Sequence, residues 1–351
     1  MKKQLQKYSL LWLPILLVGL LWLPSKSNSA VIPISNKVTI LAVGDIMLSR
    51  NVAAKIAKAK NPLLPFQQVK DLLLATDFNI GNLESPFSGK DTYPKTGSLV
   101  FNAPRWSVQG LVKYNFKVLS LANNHVLDQG LKGLIYTKNY LAQNNIQAIG
   151  AGQNLSEAWQ PAIIEAKGVK IGFIAASYAS LNDNGKKKNE YVARLEDLDN
   201  LKKSIAQAKD KADLVIVSLH AGTEYKHQPN NAQIKFAHAA IDNGADLVIG
   251  HHPHWAQTIE KYKGKYIFYS LGNFIFDQMW STKTRQGLAV KFTVNVNNQT
   301  SGAKAAFAQA ELIPVIIDNY STPRLTNSKE STIILKSIGV VDNVIDLNSE
   351  N

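Results

Sequence analysis

The chain has 351 residues and only seven histidines, and three of those crowd into "GHHPH" (250–254), directly after the apolar run "ADLVI". Histidine titrates near neutral pH and is a common metal ligand. Such a cluster at the end of a hydrophobic run therefore points to ligation or proton transfer. Other apolar runs end in a similar way. "KVTILAVGD" (37–45) closes on Asp45, and "TDFNIGNLE" (76–84) carries Asn82 and Glu84. "FKVLSLANNH" (116–125) closes on Asn124 and His125, "ADLVIVSLH" (212–220) on His220, and "ADLVIGHHPH" (245–254) on His251, His252 and His254. A donor set of Asp, Glu, Asn and His without thiolate suits hard or borderline divalent ions such as manganese, iron or zinc. There are enough donors for two ions, and a two-metal site is built to hold both oxygens of an in-line displacement. His252 and His254 flank Pro253, whose fixed φ holds the pair extended. Both rings reach one cluster if the segment bends there, with His251 as a donor behind them. Alone, an Asp after "VG" or a single "NNH" is ordinary cap or turn chemistry; the recurrence sets these residues apart. His227, in the polar loop "EYKHQPNN", and His238, inside an amphipathic helix, lack such company and are read as structural or solvated.

These ends converge if the runs are strands of an α/β sheet, where ligands bind in the crevice beyond the carboxyl ends. The runs are short and rich in Val, Ile, Leu and Phe, the pattern of strands buried on both faces. Two more lie at "VKIGFIAASY" (169–178) and "KYIFYSLGNFIF" (265–276). Amphipathic stretches at 195–211 and 231–244 predict helices, the second stopped by Gly244. After residue 286 the sequence alternates in the manner of an antiparallel hairpin, so a mixed sheet is expected. No repeat, low-complexity linker or proline-rich hinge divides residues 37–340, which predict one domain, followed by a tail at 341–351.

At the other end, Lys2, Lys3 and Lys7 precede an apolar run from about Ser9 to Pro24, and Ser27 and Ser29 follow. Residues 1–29 are expected to be a signal peptide cleaved near Ser29, or a somewhat short N-terminal membrane anchor. Either places the remainder outside the cytoplasm, secreted or held on the outer face of the cytoplasmic membrane. The chain has no cysteine, which excludes a lipoprotein anchor, disulfides and thiolate metal sites. Setting aside the four lysines before residue 30 lowers the formal charge from +13 to +9, still suited to a polyanionic partner or an anionic envelope. Nucleic acid is not expected, because the basic residues are scattered and "GKKKNE" (185–190) is the one run.

Six motifs taken in order carry a family resemblance: "VGDIMLSR" (43–50), "GNLESPFS" (81–88), "SLANNHVLDQG" (120–130), "HAGTEY…P" (220–229), "GADLVIGHHPHWAQ" (244–257) and "YSLGNFIFDQ" (269–278). They resemble the CapA family of bacterial capsule and poly-γ-glutamate synthesis proteins, similar in turn to the calcineurin-like metallophosphoesterases. The resemblance implies an α/β fold, a four-layer α/β/β/α sandwich with mixed sheets and a site for one or two divalent ions. Its ligands would be Asp45, Glu84 or Asn82, Asn124, His220, His252 and His254. His125 matches the phosphoesterase histidine that assists the leaving group, Asp128 would orient its imidazole, and Arg50 with the basic surface would hold anionic substrate. Two departures stand out. The phosphoesterase pattern has a histidine two residues after its first aspartate, where this chain has Met47, and the usual aromatic residue after the fifth-strand histidine is Ala221, which would widen the pocket. The implied function is an extracytoplasmic, metal-dependent phosphoesterase-type hydrolase or transferase, acting on an anionic polymer or a phosphorylated substrate in capsule-type polymer synthesis or export. The alternative is a non-catalytic metal- or polymer-binding accessory subunit of a membrane polymer-synthase complex, which the missing histidine favours.

Overall fold

The first apolar run becomes β1 (Lys37–Ile46), buried on both faces from Ile40 onward. A computed structural model of the chain describes residues 37–179, 190–297 and 304–348; the leader and the lysines at 186–188 lie outside them. β1 pairs parallel with β2 (Phe78–Leu83), β2 with β3 (Phe116–Ser120) and β3 with β4 (Gln147–Ile149). The chain then builds a second sheet from β5 (Ala162–Ala166), β6 (Val169–Ser177), β7 (Leu214–His220), β8 (Leu247–His251), β9 (Ile259–Tyr262) and β10 (Lys265–Phe268). Its order is β5-β6-β7-β8-β10-β9, parallel from β6 to β10 with an antiparallel strand at each edge. Both edge hairpins turn on a Lys–Gly pair, 167–168 and 263–264, with positive φ at both residues, as a two-residue type I′ turn requires.

The chain returns to the first sheet through β11 (Asn273–Ile275), parallel to the end of β1. The expected hairpin follows as β12 (Gln286–Asn297) and β13 (Lys304–Asp318), with β14 (Thr322–Leu325) at the edge. Within 341–351, read from the sequence as a tail, β15 (Val344–Asp346) pairs with β13 and Leu347 is buried.

The two mixed sheets pack face to face. Phe78 meets Phe173 edge-on at 6.1 Å and Phe268 meets Phe292 at 5.3 Å, favourable edge-to-face contacts between aromatic rings from opposite sheets. Helix Gly130–Gln143 packs on β4, while Leu198–Lys209 and Asn231–Asp242 pack on β6, β7 and β8 and close a second apolar cluster around Phe236. These layers give the four-layer α/β/β/α arrangement. The helix at 231 starts with a capping box, in which Asn230 and Gln233 exchange side-chain and backbone hydrogen bonds.

The run 265–276, read as one strand, is divided between the sheets: β10 belongs to the second and β11 to the first. The crossing passes over the end of β1, where a Cβ on Gly44 would lie 2.0 Å from the Gly272 carbonyl oxygen. Only glycine permits that approach. Asp45 N donates to the same carbonyl at 2.9 Å, which sets Asn273 opposite Asp45.

Candidate functional site

Parallel pairing carries the polar strand ends of each sheet to one edge, and side chains from both sheets meet there. Asn82, at the end of β2, donates to Asp45 Oδ1 at 2.8 Å and to His220 Nδ1 at 3.2 Å, and accepts from Asn123 at 3.1 Å. With Nδ1 accepting, His220 is the neutral tautomer whose Nε2–H donates to Asn124 Oδ1 at 2.8 Å. Every polar atom of the Asn82 amide is thus engaged within the scaffold. Of the two alternatives, Glu84 is the one left open: both its carboxylate oxygens are buried with no hydrogen-bond partner. Ligand atoms of Asp45, Glu84 and His254 lie within 4.8 Å of one another, a buried Asp/Glu/His group suited to a divalent ion. Glu84 also reaches toward His220, 3.9 Å from its Nε2.

The segment after β8 does bend at Pro253. His252 and His254 take positive φ of 100° and 57°, and their ring centroids lie 6.0 Å apart. Asn273, which the sequence reading passed over, fixes His254. Its amide nitrogen donates to Gln278 and to the Thr284 carbonyl, so its oxygen accepts from His254 Nδ1 at 2.9 Å and leaves Nε2 as the donor lone pair. A hydrogen bond behind a ligating imidazole is the usual way its orientation is held. His252 Nδ1 is buried without a partner, and the ring lies 4.8 Å from that of His220.

Three expectations need correction. His251, expected behind its neighbours as a donor, turns into the space between the sheets, where Nε2 meets the Val43 carbonyl at 3.2 Å and Nδ1 meets Ser218 at 3.4 Å. By register it shares a strand face with His220 and Ser218, but its ring lies back between the sheets instead of among the strand-end donors. Arg50, expected to hold anionic substrate, is buried and has both terminal nitrogens engaged, with only Nε left without a partner. It pairs with Asp277, donates to the Ser98 carbonyl at 3.0 Å and lies over the Phe101 ring. Ala221 packs in the apolar cluster around Phe236, so its small size shapes the core more than the mouth.

His125 and Asp128 come together as a buried pair, Nδ1 to Oδ2 2.9 Å. Asn123 Oδ1 accepts from the His125 amide, and Phe101 stacks on the imidazole at 4.0 Å. His125 is near enough to bear electrostatically on His220, His252 and His254. His227 and His238 stay outside the cluster. The first bonds to the Ala256 carbonyl at 2.8 Å, the second to Glu260 at 2.9 Å.

Burial drives the cluster toward neutrality. It raises the Asp45 carboxyl, against the pull of His254 and of hydrogen bonds from Asn82 and the His252 amide. Glu84 is raised well above the carboxylate range, by burial first and then by Asp45 and Glu224. Burial and neighbouring imidazoles hold His220 and His252 well below the ordinary range, and burial lowers His254 while Asp45 opposes it. His251 is pushed down to about 4.

Comparison with known proteins follows the same residues. The family described as "Bacterial capsule synthesis protein PGA_cap" matches residues 39–278, a span holding every cluster residue from Asp45 to Asp277. The PGA biosynthesis protein CapA of Bacillus subtilis (strain 168) is 35% identical over 302 residues, 84% of this chain and 79% of that protein. The capsule biosynthesis protein CapA of Bacillus anthracis is 30% identical over 351 residues, 96% of this chain and 82% of that one. Among solved structures, a Staphylococcus aureus protein provisionally assigned as a 5′-nucleotidase, in complex with alpha-ketoglutarate, aligns with a TM-score of 0.52 at 14% identity. It covers 86% of this chain and 58% of that one, a likeness of fold alone. The chain belongs to the bacterial capsule synthesis protein family.

Proposed function

We propose that this protein is an extracytoplasmic, metal-dependent phosphoesterase-type hydrolase or transferase that serves capsule or poly-γ-glutamate-like polymer synthesis or export, acting on an anionic polymer or a phosphorylated substrate. The observation that carries the reading is Glu84. A buried carboxylate with both oxygens unpartnered is costly unless a cation or a proton meets it, and here it sits beside Asp45, His254 and His220. Asp45, Glu84 and His254 would hold one divalent ion; Glu84 and His252 face a second position, which Asn124 and His220 would join on giving up the hydrogen bond between them. A bound divalent ion supplies charge neutralisation for phosphoryl oxygens and activates water. The chain's own residues do the rest. Asn82 and Asn273 fix the tautomers of His220 and His254, and Phe101 and Tyr178 wall the pocket against His125 and His252. Asp128 holds His125 Nδ1, leaving Nε2 to deliver a proton to the departing oxygen.

One observation favours the accessory-subunit alternative. Met47, where the phosphoesterase pattern has a histidine, is fully buried in the core, so no ligand arises from that position. Metal analysis tests the leading reading. After dialysis the purified protein should retain one or two equivalents of manganese, iron or zinc, and Glu84→Gln should lose most of it together with phosphodiester turnover. A wild type that neither retains metal nor gains thermal stability from any of these ions would overturn it, because binding to the native state alone must stabilise that state.

A further inference from the structure

Large apolar side chains left in water around the mouth of a site mark an interaction surface. Leu99 is 73% exposed, Val100 51% and Trp280 64%. They ride on two loops, one beyond β2 and one beyond β11, which Arg50 ties together through the Ser98 carbonyl and Asp277. The first loop leads directly into Phe101, stacked on His125. On the second, Trp280 meets Tyr225 at 4.8 Å, and Tyr225 lies 6.1 Å from His254. The apolar tips therefore ride on the loops that pack against the cluster. Exposed lysines surround them: Lys90 and Lys95 on the first loop, and Lys226 next to Tyr225. Among the described residues of these loops, the exposed carboxylates are Asp91, paired with Arg105, and Glu224.

We infer that this rim docks on an anionic phospholipid bilayer. Leu99, Val100 and Trp280 enter the headgroup region while the lysines lie against lipid phosphates. Tryptophan settles at that depth, and lysine buries its stem there with the ammonium in water. Each lysine near an anionic surface adds about fivefold to binding. The cluster would then face a phosphate ester held at the membrane surface. That last step rests on the phosphoesterase reading; the docking does not.

The absence of cysteine makes the test direct. Full-length Leu99→Cys and Trp280→Cys variants each carry an environment-sensitive NBD label at a single position. Leu74→Cys is the control, since Leu74 is 55% exposed and precedes β2, at the other end of the strands. Vesicles of phosphatidylcholine with phosphatidylglycerol should shift the emission at 99 and 280 to the blue and shield both labels from iodide, while the label at 74 stays in water. Adding Lys95→Glu to the Leu99→Cys chain should weaken vesicle binding by about fivefold or more. Labels at 99 and 280 that remain aqueous, or a shift at 74 equal to theirs, would overturn the proposal. So would shielding that arises only with a soluble protein partner and never with vesicles. No readout uses turnover, so failure to dock and failure of catalysis are separate results.

Discussion

Two histidine–carboxylate pairs in this protein have the same length and different surroundings. His125 Nδ1 and Asp128 lie 2.9 Å apart, as do His238 Nε2 and Glu260. Each imidazole also stacks on an aromatic ring, Phe101 at 4.0 Å and Tyr262 at 3.7 Å. The first pair is buried, its side chains 8% and 3% exposed, and it stands among the strand-end donors. The second is 28% and 35% exposed and joins a helix to the edge strand β9. A short hydrogen bond is therefore a poor marker of chemistry. What differs is the position: His125 stands beside His220, His252 and His254 in a low-dielectric pocket, whereas His238 is screened by water.

That contrast breaks if His125→Ala and His238→Ala behave alike. His125→Ala is expected to lower phosphodiester turnover by about a hundredfold to ten-thousandfold, the usual loss for a general acid. Its metal content and melting temperature should stay near wild type. Loss of metal or of folding instead would make His125 a ligand or a core residue.

A third histidine, His251, sharpens the comparison, being buried with no carboxylate partner. Its pKa is about 4 when folded against about 6.5 unfolded. Between those values the unfolded chain binds a proton that the folded one does not, so stability is full above pH 6.5 and falls as pH drops toward 4. The span is worth roughly 3 kcal/mol. Urea unfolding at pH 7 and pH 5, with chelator present, should show His251→Gln losing less stability on acidification than wild type; parallel behaviour would mean that His251 is already protonated or solvated.

Asp128→Asn should have a smaller effect, about tenfold to a hundredfold in turnover, typical of groups that orient a catalytic or ligating histidine. Because the same carboxylate accepts the Phe101 amide at 2.5 Å, part of that loss should appear as a raised KM from a looser pocket wall. A change in kcat with KM untouched would assign Asp128 to the imidazole alone. The smallest effect belongs to His238→Ala: turnover unchanged, and stability reduced by under about 1 kcal/mol in a thermal melt, as for an exposed pair.

Local features were legible in the sequence. Apolar runs ending in polar donors, helices at 195–211 and 231–244 and the hairpin after 286 all depend on neighbours a few positions apart. So does the His125–Asp128 pair, because residues three apart in a tight turn come together wherever the turn is placed. The short strands β4, β5, β9, β14 and β15 left little periodicity to read, and several of their residues are only half-buried. Asn273 did leave a signal, standing at a strand end as Asn124 does, but it was hidden inside a run that the fold divides between two sheets.

Other assignments were made by tertiary structure alone. Asn82 and Glu84 are equally plausible ligands in "GNLE"; only contacts with Asp45, His220 and Asn123, from three other segments, commit the amide and leave the carboxylate open. Arg50 has the composition of an anion clamp until Asp277, 227 residues away, takes its charge. His251 and His252 are adjacent letters of one motif, yet the first keeps the β8 register with its ring between the sheets, while a positive φ at the second, beyond the strand, turns its ring to the cluster. The physical reason is range. Strand, helix and turn preferences are set by neighbouring residues and survive in a single sequence, whereas the partner that consumes or spares a polar side chain is chosen by which distant segments the sheets bring together.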